Sequence, residues 1–184
     1  MARVFVITGP SGVGKGTLIR AMMERLAGLE LSVSATTRAP RPGERDGLDY
    51  YFLSEQEFDR RVRAGEFVEH ADYAGRSYGT LRTELARGIG EGAAVVLEIE
   101  VQGARQVRES VPDAVQIFIA PPSLEALRTR LIGRGTDDRE EVERRLRVAE
   151  KELKAQPEFT HVVVNDRLED AVERLTAIVA DKLE

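Results

Sequence analysis

Nine residues, Gly9 to Thr17, read G-P-S-G-V-G-K-G-T directly behind the apolar run Val4 to Ile7. Their types and spacing suit the binding of a polyphosphate. Glycines let successive backbone N–H groups curl round an anion, and a helix starting near Lys15 adds the partial positive charge of its N-terminus. Lys15 would reach the outer phosphates as a mobile point charge. Gly9, Pro10, Ser11, Gly12, Val13, Gly14, Lys15, Gly16 and Thr17 therefore form a candidate ATP-binding loop with Walker A spacing. One position departs from the pattern: Gly16 stands where Ser or Thr usually gives Mg²⁺ a hydroxyl ligand. Thr17, or water with Glu98 as an outer acceptor, must then substitute.

A second group of candidates lies in T-R-A-P-R-P-G-E, where two prolines and a glycine prevent regular structure. Arg38 and Arg41 in this loop offer forked, permanently charged donors suited to a phosphate. The 27 basic residues are 23 Arg and 4 Lys, a bias that composition alone can produce. An arginine therefore counts only where its neighbours also make chemical sense. Glu98 and Glu100 alternate at the end of A-A-V-V-L-E-I-E, so they share one face of a strand at its C-terminal end.

The elements that must position these groups alternate. Val4–Ile7, Leu31–Thr36, Ala93–Glu100, Ala114–Ala120 and His161–Asn165 read as strands. Helices are expected over Leu18–Leu26, Thr80–Arg87, Gln102–Val111, from Ser123 onward, Asp138–Gln156 and Leu168–Leu183. This predicts an α/β fold of P-loop NTPase type, a parallel five-stranded sheet with helices on both faces and ligands beyond the strands' C-terminal ends. Residues 37–80 interrupt the alternation as a small, mostly β insertion. The core is then residues 1–36 plus 81–184, and the charged helix over Asp138–Gln156 is expected to stand away from it.

At 184 residues the chain suits one core with an insertion. It has no cysteine, which excludes disulfides, thiolate-bound zinc and thiol catalysis, and two histidines make no metal cluster. Both histidines read as structural. A net charge of −5 argues against nucleic acid as a partner, and no apolar run reaches membrane-spanning or signal-peptide length. The expected setting is the cytoplasm.

Nine ordered stretches carry a family resemblance. Beyond the loop at 9 they are S-V-S-A-T-T-R-A-P-R-P-G-E at 32, G-L-D-Y-Y-F at 47 and G-E-F-V-E-H-A at 65. They continue with Y-G-T at 78, L-E-I-E-V-Q-G-A at 97, F-I-A-P-P-S at 118, G-R-G-T at 133 and V-V-N-D at 163. The chain resembles the guanylate kinases, which phosphorylate GMP with ATP and Mg²⁺. The resemblance implies that residues 37–80 bind GMP and that a lid lies at about 122–155. It implies ATP and GMP, or dGMP, as substrates.

Guanine presents N1–H and a 2-amino group as adjacent donors beside the O6 acceptor, so its site wants carboxylates and a hydroxyl. The family match assigns Glu69 and Glu100 as the carboxylates and Ser34 and Thr80 as the hydroxyls. It assigns Arg38, Arg41, Tyr50 and Tyr78 to the phosphate of GMP, Asn165 to ATP, and Arg134 and Arg145 with Lys15 and Arg38 to catalysis. Without the resemblance, Glu69 beside His70 reads as a solvated strand residue, and Tyr50 as core. Family members often carry Asp at the position of Glu100, so the longer side chain must still fit the base. Two alternatives follow from the same residues. Gly16 is shared with adenylate kinases, and a guanylate-kinase-like binding module would keep the fold without turnover. The Arg38–Arg41 loop with Ser34 argues against the first, and the intact Lys15, Gly12 and Gly14 against the second.

Overall fold

The computed structural model describes residues 3–133 and 139–183. In chain order the elements are β1 (Val4–Thr8), α1 (Lys15–Met23), β2 (Leu29–Leu31), β3 (Ala35–Thr36), β4 (Tyr51–Phe52), α2 (Glu55–Arg63), β5 (Phe67–Tyr73) and β6 (Arg76–Leu81). They continue with α3 (Arg82–Gly90), β7 (Ala94–Glu98), α4 (Val101–Ser110), β8 (Val115–Ala120), α5 (Leu124–Gly133), α6 (Arg139–Leu153), β9 (His161–Val164) and α7 (Leu168–Leu183).

Five strands form a parallel sheet in the order β2-β7-β1-β8-β9. All five residues of β1 are buried, as expected for a central strand covered on both faces. Phe5 and Ile7 join Leu18, Ile19 and Met22 of α1 and Val172, Leu175 and Val179 of α7. Val4 and Val6 turn the other way, into a layer with Leu85 of α3, Val101 and Val107 of α4, and Phe118. Each such side chain contributes about 1.5–3 kcal/mol by leaving water. The fold class read from the sequence is the one observed.

The single strand expected over Leu31–Thr36 is instead two. β2 closes the edge of the parallel sheet, while β3 belongs to a second sheet of order β4-β3-β6-β5. Between them Ser32 N–H still donates to Val96 O, and Val33 N–H donates to Glu84 Oε1. The polar residues of S-V-S thus exchange one set of backbone partners for another, and the chain changes sheets there. Thr80, expected to open a helix, is the penultimate residue of β6, and α3 begins at Arg82.

The second sheet packs Ala35, Phe67 and Leu81 against Phe58 of α2 and turns its other face to the parallel sheet. Its main hairpin, β5 to β6, closes through Ala74 and Gly75, both at positive φ (50° and 73°). Helix α6 does not stand free. Val142, Leu146 and Ala149 bury against Leu127 and Leu131 of α5, and Leu153 reaches the layer under α4. Among the described residues no helix is long and apolar enough to cross a membrane.

Candidate active site

The Gly9–Thr17 loop leaves β1 and delivers Lys15 as the first residue of α1. Gly9 is required by proximity: a Cβ there would stand 2.2 Å from Ile119 O of β8. Gly14 caps α1 in the left-handed region at φ 98°. The Lys15 Nζ donates to Gly9 O at 2.6 Å and Pro10 O at 3.4 Å, so its charge is folded back over the loop. Asn165, at the end of β9, donates from Nδ2 to Val13 O at 2.8 Å, and Arg130 donates to the Asn165 carbonyl at 2.8 Å. The buried Asn165 amide is therefore engaged with the backbone of the loop. Arg145 reaches back from α6 to donate to Ser11 Oγ at 2.7 Å.

In front of the loop opens a cleft of about 520 Å³, walled by the loop, the ends of β2 and β7, and strands β5 and β6. Glu98 stands across it from Gly16, where a Cβ would lie 3.6 Å from Glu98 Oε2 and 3.8 Å from Arg20 Nη1. Enclosure raises the pKa of Glu98, opposed by the charge of Lys15. Farther along, Glu69 of β5 is 3% exposed and accepts from Thr80 Oγ1 at 2.7 Å. Burial pushes the Glu69 carboxyl up to about 7 despite that bond. Glu100 stands at the N-cap position of α4, its carboxyl beside that of Glu152 of α6. Burial first, and the Glu100 carboxyl second, push Glu152 up to about 8.

At the outer end Arg41, Tyr50 and Tyr78 line the cleft, with the two tyrosine rings 6.3 Å apart. Arg38 is held by Glu44 through two bonds of 2.9 and 2.8 Å and lies over the Tyr50 ring at 5.2 Å. The Glu44 carboxylate raises the pKa of Arg38, and Arg38 lowers that of Glu44. Glu44 also accepts the Arg41 N–H at 2.7 Å, so one carboxylate organises the whole arginine loop.

Of the residues singled out in the sequence, Ser11, Gly12, Gly14, Lys15, Gly16, Thr17, Ser34, Arg41, Tyr50, Glu69, Tyr78, Glu98 and Glu100 line this one cleft. Thr80 lies buried behind Glu69, and Gly9, Pro10, Val13 and Asn165 form or brace the loop. Arg38 is turned to Glu44, and Arg145 meets the loop from α6. Arg134 lies outside the described residues. Sequence reasoning missed Arg20, Glu44, Tyr73 and Glu152. Arg20 was within reach, since it follows Gly16 by one helical turn. Tyr73, whose hydroxyl lies beside Ser11, and Glu152 carry no local signal.

A cleft with a polyphosphate loop at one end, buried carboxylates along its wall and an arginine and tyrosines at the other can bind two phosphorylated ligands end to end. A family model described as guanylate kinase matches residues 1–182. The chain is 53% identical over 175 residues to the guanylate kinase of Synechococcus sp. (strain CC9311), covering 95% of this chain and 92% of that one. It is 55% identical over 170 residues to the guanylate kinase of Thermosynechococcus vestitus, covering 92% and 89%. The crystal structure of guanylate kinase from Anaplasma phagocytophilum superposes with a TM-score of 0.77 at 34% identity, over 100% of this chain and 87% of that one.

Proposed function

The chain belongs to the guanylate kinase family, ATP-dependent phosphotransferases acting on GMP, and we propose that the cleft described above brings ATP and GMP, or dGMP, together for direct transfer. The observation that carries the residue-level reading is the continuity of that cleft, with Lys15 at one end and Glu69, Glu100, Arg41 and Tyr78 along the rest. We divide the chain into a core, residues 1–36 plus 81–184 with the lid at about 122–155, and a GMP-binding insertion, residues 37–80. On this reading the enzyme works in the cytoplasm, a compartment that suits a chain without cysteine.

The loop amides and Lys15 hold the phosphates of ATP, Lys15 exchanging its carbonyl partners for the outer phosphates. Arg41, Tyr50 and Tyr78 hold the phosphate of GMP, joined by Arg38 when it leaves Glu44. Glu69 and Glu100 accept from N1–H and the 2-amino group of guanine, with Ser34 and Thr80 near O6. An oxygen of the GMP phosphate attacks the γ-phosphorus in line, the bond to the bridging oxygen of ADP breaks, and no general base is needed because the nucleophile is already an anion. Arg145 approaches from α6, and by the family resemblance Arg134 joins it in offsetting the charge that develops. The residues fit a hydrated Mg²⁺: Glu98 faces Gly16 across the cleft and the exposed Thr17 follows Gly16, so Glu98 and Thr17 would hold the ion through water. When bound, the ion neutralises phosphate charge.

The test is ADP release from Mg-ATP with GMP, dGMP, AMP, CMP and UMP offered separately. Turnover confined to GMP and dGMP is expected. Turnover with AMP at a comparable rate would remove the assignments of Glu69 and Glu100.

A further inference from the structure

Helix α4 contains a glycine at its third residue, Gly103, although glycine is the residue least suited to a helix interior after proline. Its φ is ordinary, so no backbone conformation demands it. What demands it is a neighbour. A Cβ on Gly103 would stand 2.3 Å from Glu69 Oε2, 3.0 Å from Glu69 Cδ and 3.5 Å from Glu69 Cγ, and these are the three nearest atoms it would meet. Gly88 in α3 is also crowded, by Val95 of the sheet it packs on at 2.7 Å and by the Glu30 carboxylate at 3.2 Å, but neither residue lines the cleft.

The approach of α4 to β5 is fixed by a second device. Gln106, one turn along α4, accepts the His70 N–H at 3.0 Å and donates to His70 O at 2.7 Å. β5 is an edge strand of its sheet, and this side-chain amide takes the place of a further strand beside the residue that follows Glu69. Ser110 adds a bond to Val68 O at 3.4 Å. From the opposite side Thr80 of β6 holds Glu69 Oε1. The Glu69 side chain is thus confined between a hydroxyl on one strand and a bare Cα on a helix, with its own backbone clamped.

We propose that Gly103 determines base specificity: its missing side chain forms the slot that lets Glu69 hold its carboxyl at the wall of the cleft, and Gln106 sets the distance between slot and strand. Gly103 touches no substrate and acts through Glu69, so the inference rests on the reading that Glu69 contacts guanine. The three nearest atoms an added methyl would meet all belong to the end of the flexible Glu69 side chain. It therefore moves the carboxyl off Thr80 without displacing β5.

The experiment is a double-mutant cycle of Gly103→Ala and Glu69→Ala, with KM and kcat for GMP, AMP and ATP and a thermal melt for each variant. Gly103→Ala is expected to raise the KM for GMP by roughly tenfold or more and to narrow the GMP-to-AMP preference, with the KM for ATP within about twofold of wild type. In the Glu69→Ala background the same change is expected to have no further effect, because nothing remains to be displaced. Gly103→Ala with an unchanged KM for GMP, while Glu69→Ala raises it, overturns the inference and leaves the role of Glu69 standing. A Gly103→Ala effect that persists undiminished without the Glu69 side chain overturns it too. Glu69→Ala with wild-type GMP kinetics overturns the reading of Glu69 and the inference together. If Gly103→Ala does not fold, Gln106→Ala carries the test: a KM for GMP raised roughly threefold or more supports the slot, and an unchanged one overturns it.

Discussion

At the scale of single residues, two positions have consequences beyond ligand contact. Gly16 withholds the hydroxyl that P-loops usually give Mg²⁺, yet the site has room for one, since a Cβ would stand 3.6 Å from the nearest Glu98 oxygen. Gly16→Ser is expected to lower the Mg²⁺ concentration for half-maximal rate by roughly two- to fivefold, and a superimposable Mg²⁺ titration would count against it. Glu152 titrates in the other direction from a surface acid. Its folded pKa, about 8, lies above the ordinary carboxyl value, so the folded chain holds one more proton than the unfolded chain between about 4.5 and 8. Stability from this group is therefore full at low pH and is lost as pH climbs through that window. Glu152→Gln removes the loss, so its melting temperature relative to wild type is expected to be level near pH 4 and to rise steadily to pH 8 or 9. Melts across that range check it, and a pH-independent difference would mean that Glu152 is ionised in the fold.

At the scale of elements, the hairpin that carries Glu69 and Tyr78 turns through Ala74, the one non-glycine residue with positive φ among the described residues. Two positive φ values match the right-handed twist of the flanking strands, but alanine meets a steric cost there that asparagine largely escapes. Ala74→Asn is expected to stabilise the protein by about 0.5–1 kcal/mol, a rise in melting temperature of roughly 1–4 °C, with unchanged kinetics. A fall would place the turn in another conformation. The same hairpin marks where the sequence stops being legible. Elements with a long period and a local stop signal read well: α7 runs over the expected Leu168–Leu183, and the Gly9–Thr17 loop is encoded by its own glycines. β3 and β4, two residues each, leave no period to detect, and the change of sheet at Ser32–Ser34 depends on Glu84, 51 residues from Val33 and on the far side of the insertion. Among site residues, those on the loop and on Arg38–Arg41 announced themselves by type and spacing. Glu44, Tyr73 and Glu152 became partners only through turns and helix packing, and Gly103 signalled nothing until Glu69 was beside it.

At the scale of the whole molecule, three parts meet at Ser11. Its hydroxyl accepts from Arg145 of α6 at 2.7 Å, and the Tyr73 hydroxyl of β5 and the Glu152 carboxyl of α6 lie beside it. Helix α6 is therefore tied to the Gly9–Thr17 loop, and β5 approaches the loop at the same residue. On the proposed reading, a β-phosphate or γ-phosphate entering the loop competes for Arg145, so nucleotide binding is expected to release this tie. Ser11→Ala removes the hydroxyl that accepts from Arg145 and leaves the loop backbone in place. In the nucleotide-free protein it is expected to speed amide hydrogen exchange across 139–153 and 67–73 by roughly threefold or more, with α7 unchanged. With an ATP analogue and GMP bound, the two proteins are expected to exchange alike over the same segments, because the nucleotides then supply the contacts. Faster exchange spread evenly over α7 and the parallel sheet would instead mean that Ser11 supports the core as a whole. Unchanged exchange in 139–153 would mean that the packing of α6 on α5, through Val142, Leu146 and Leu131, holds the lid side closed without the tie.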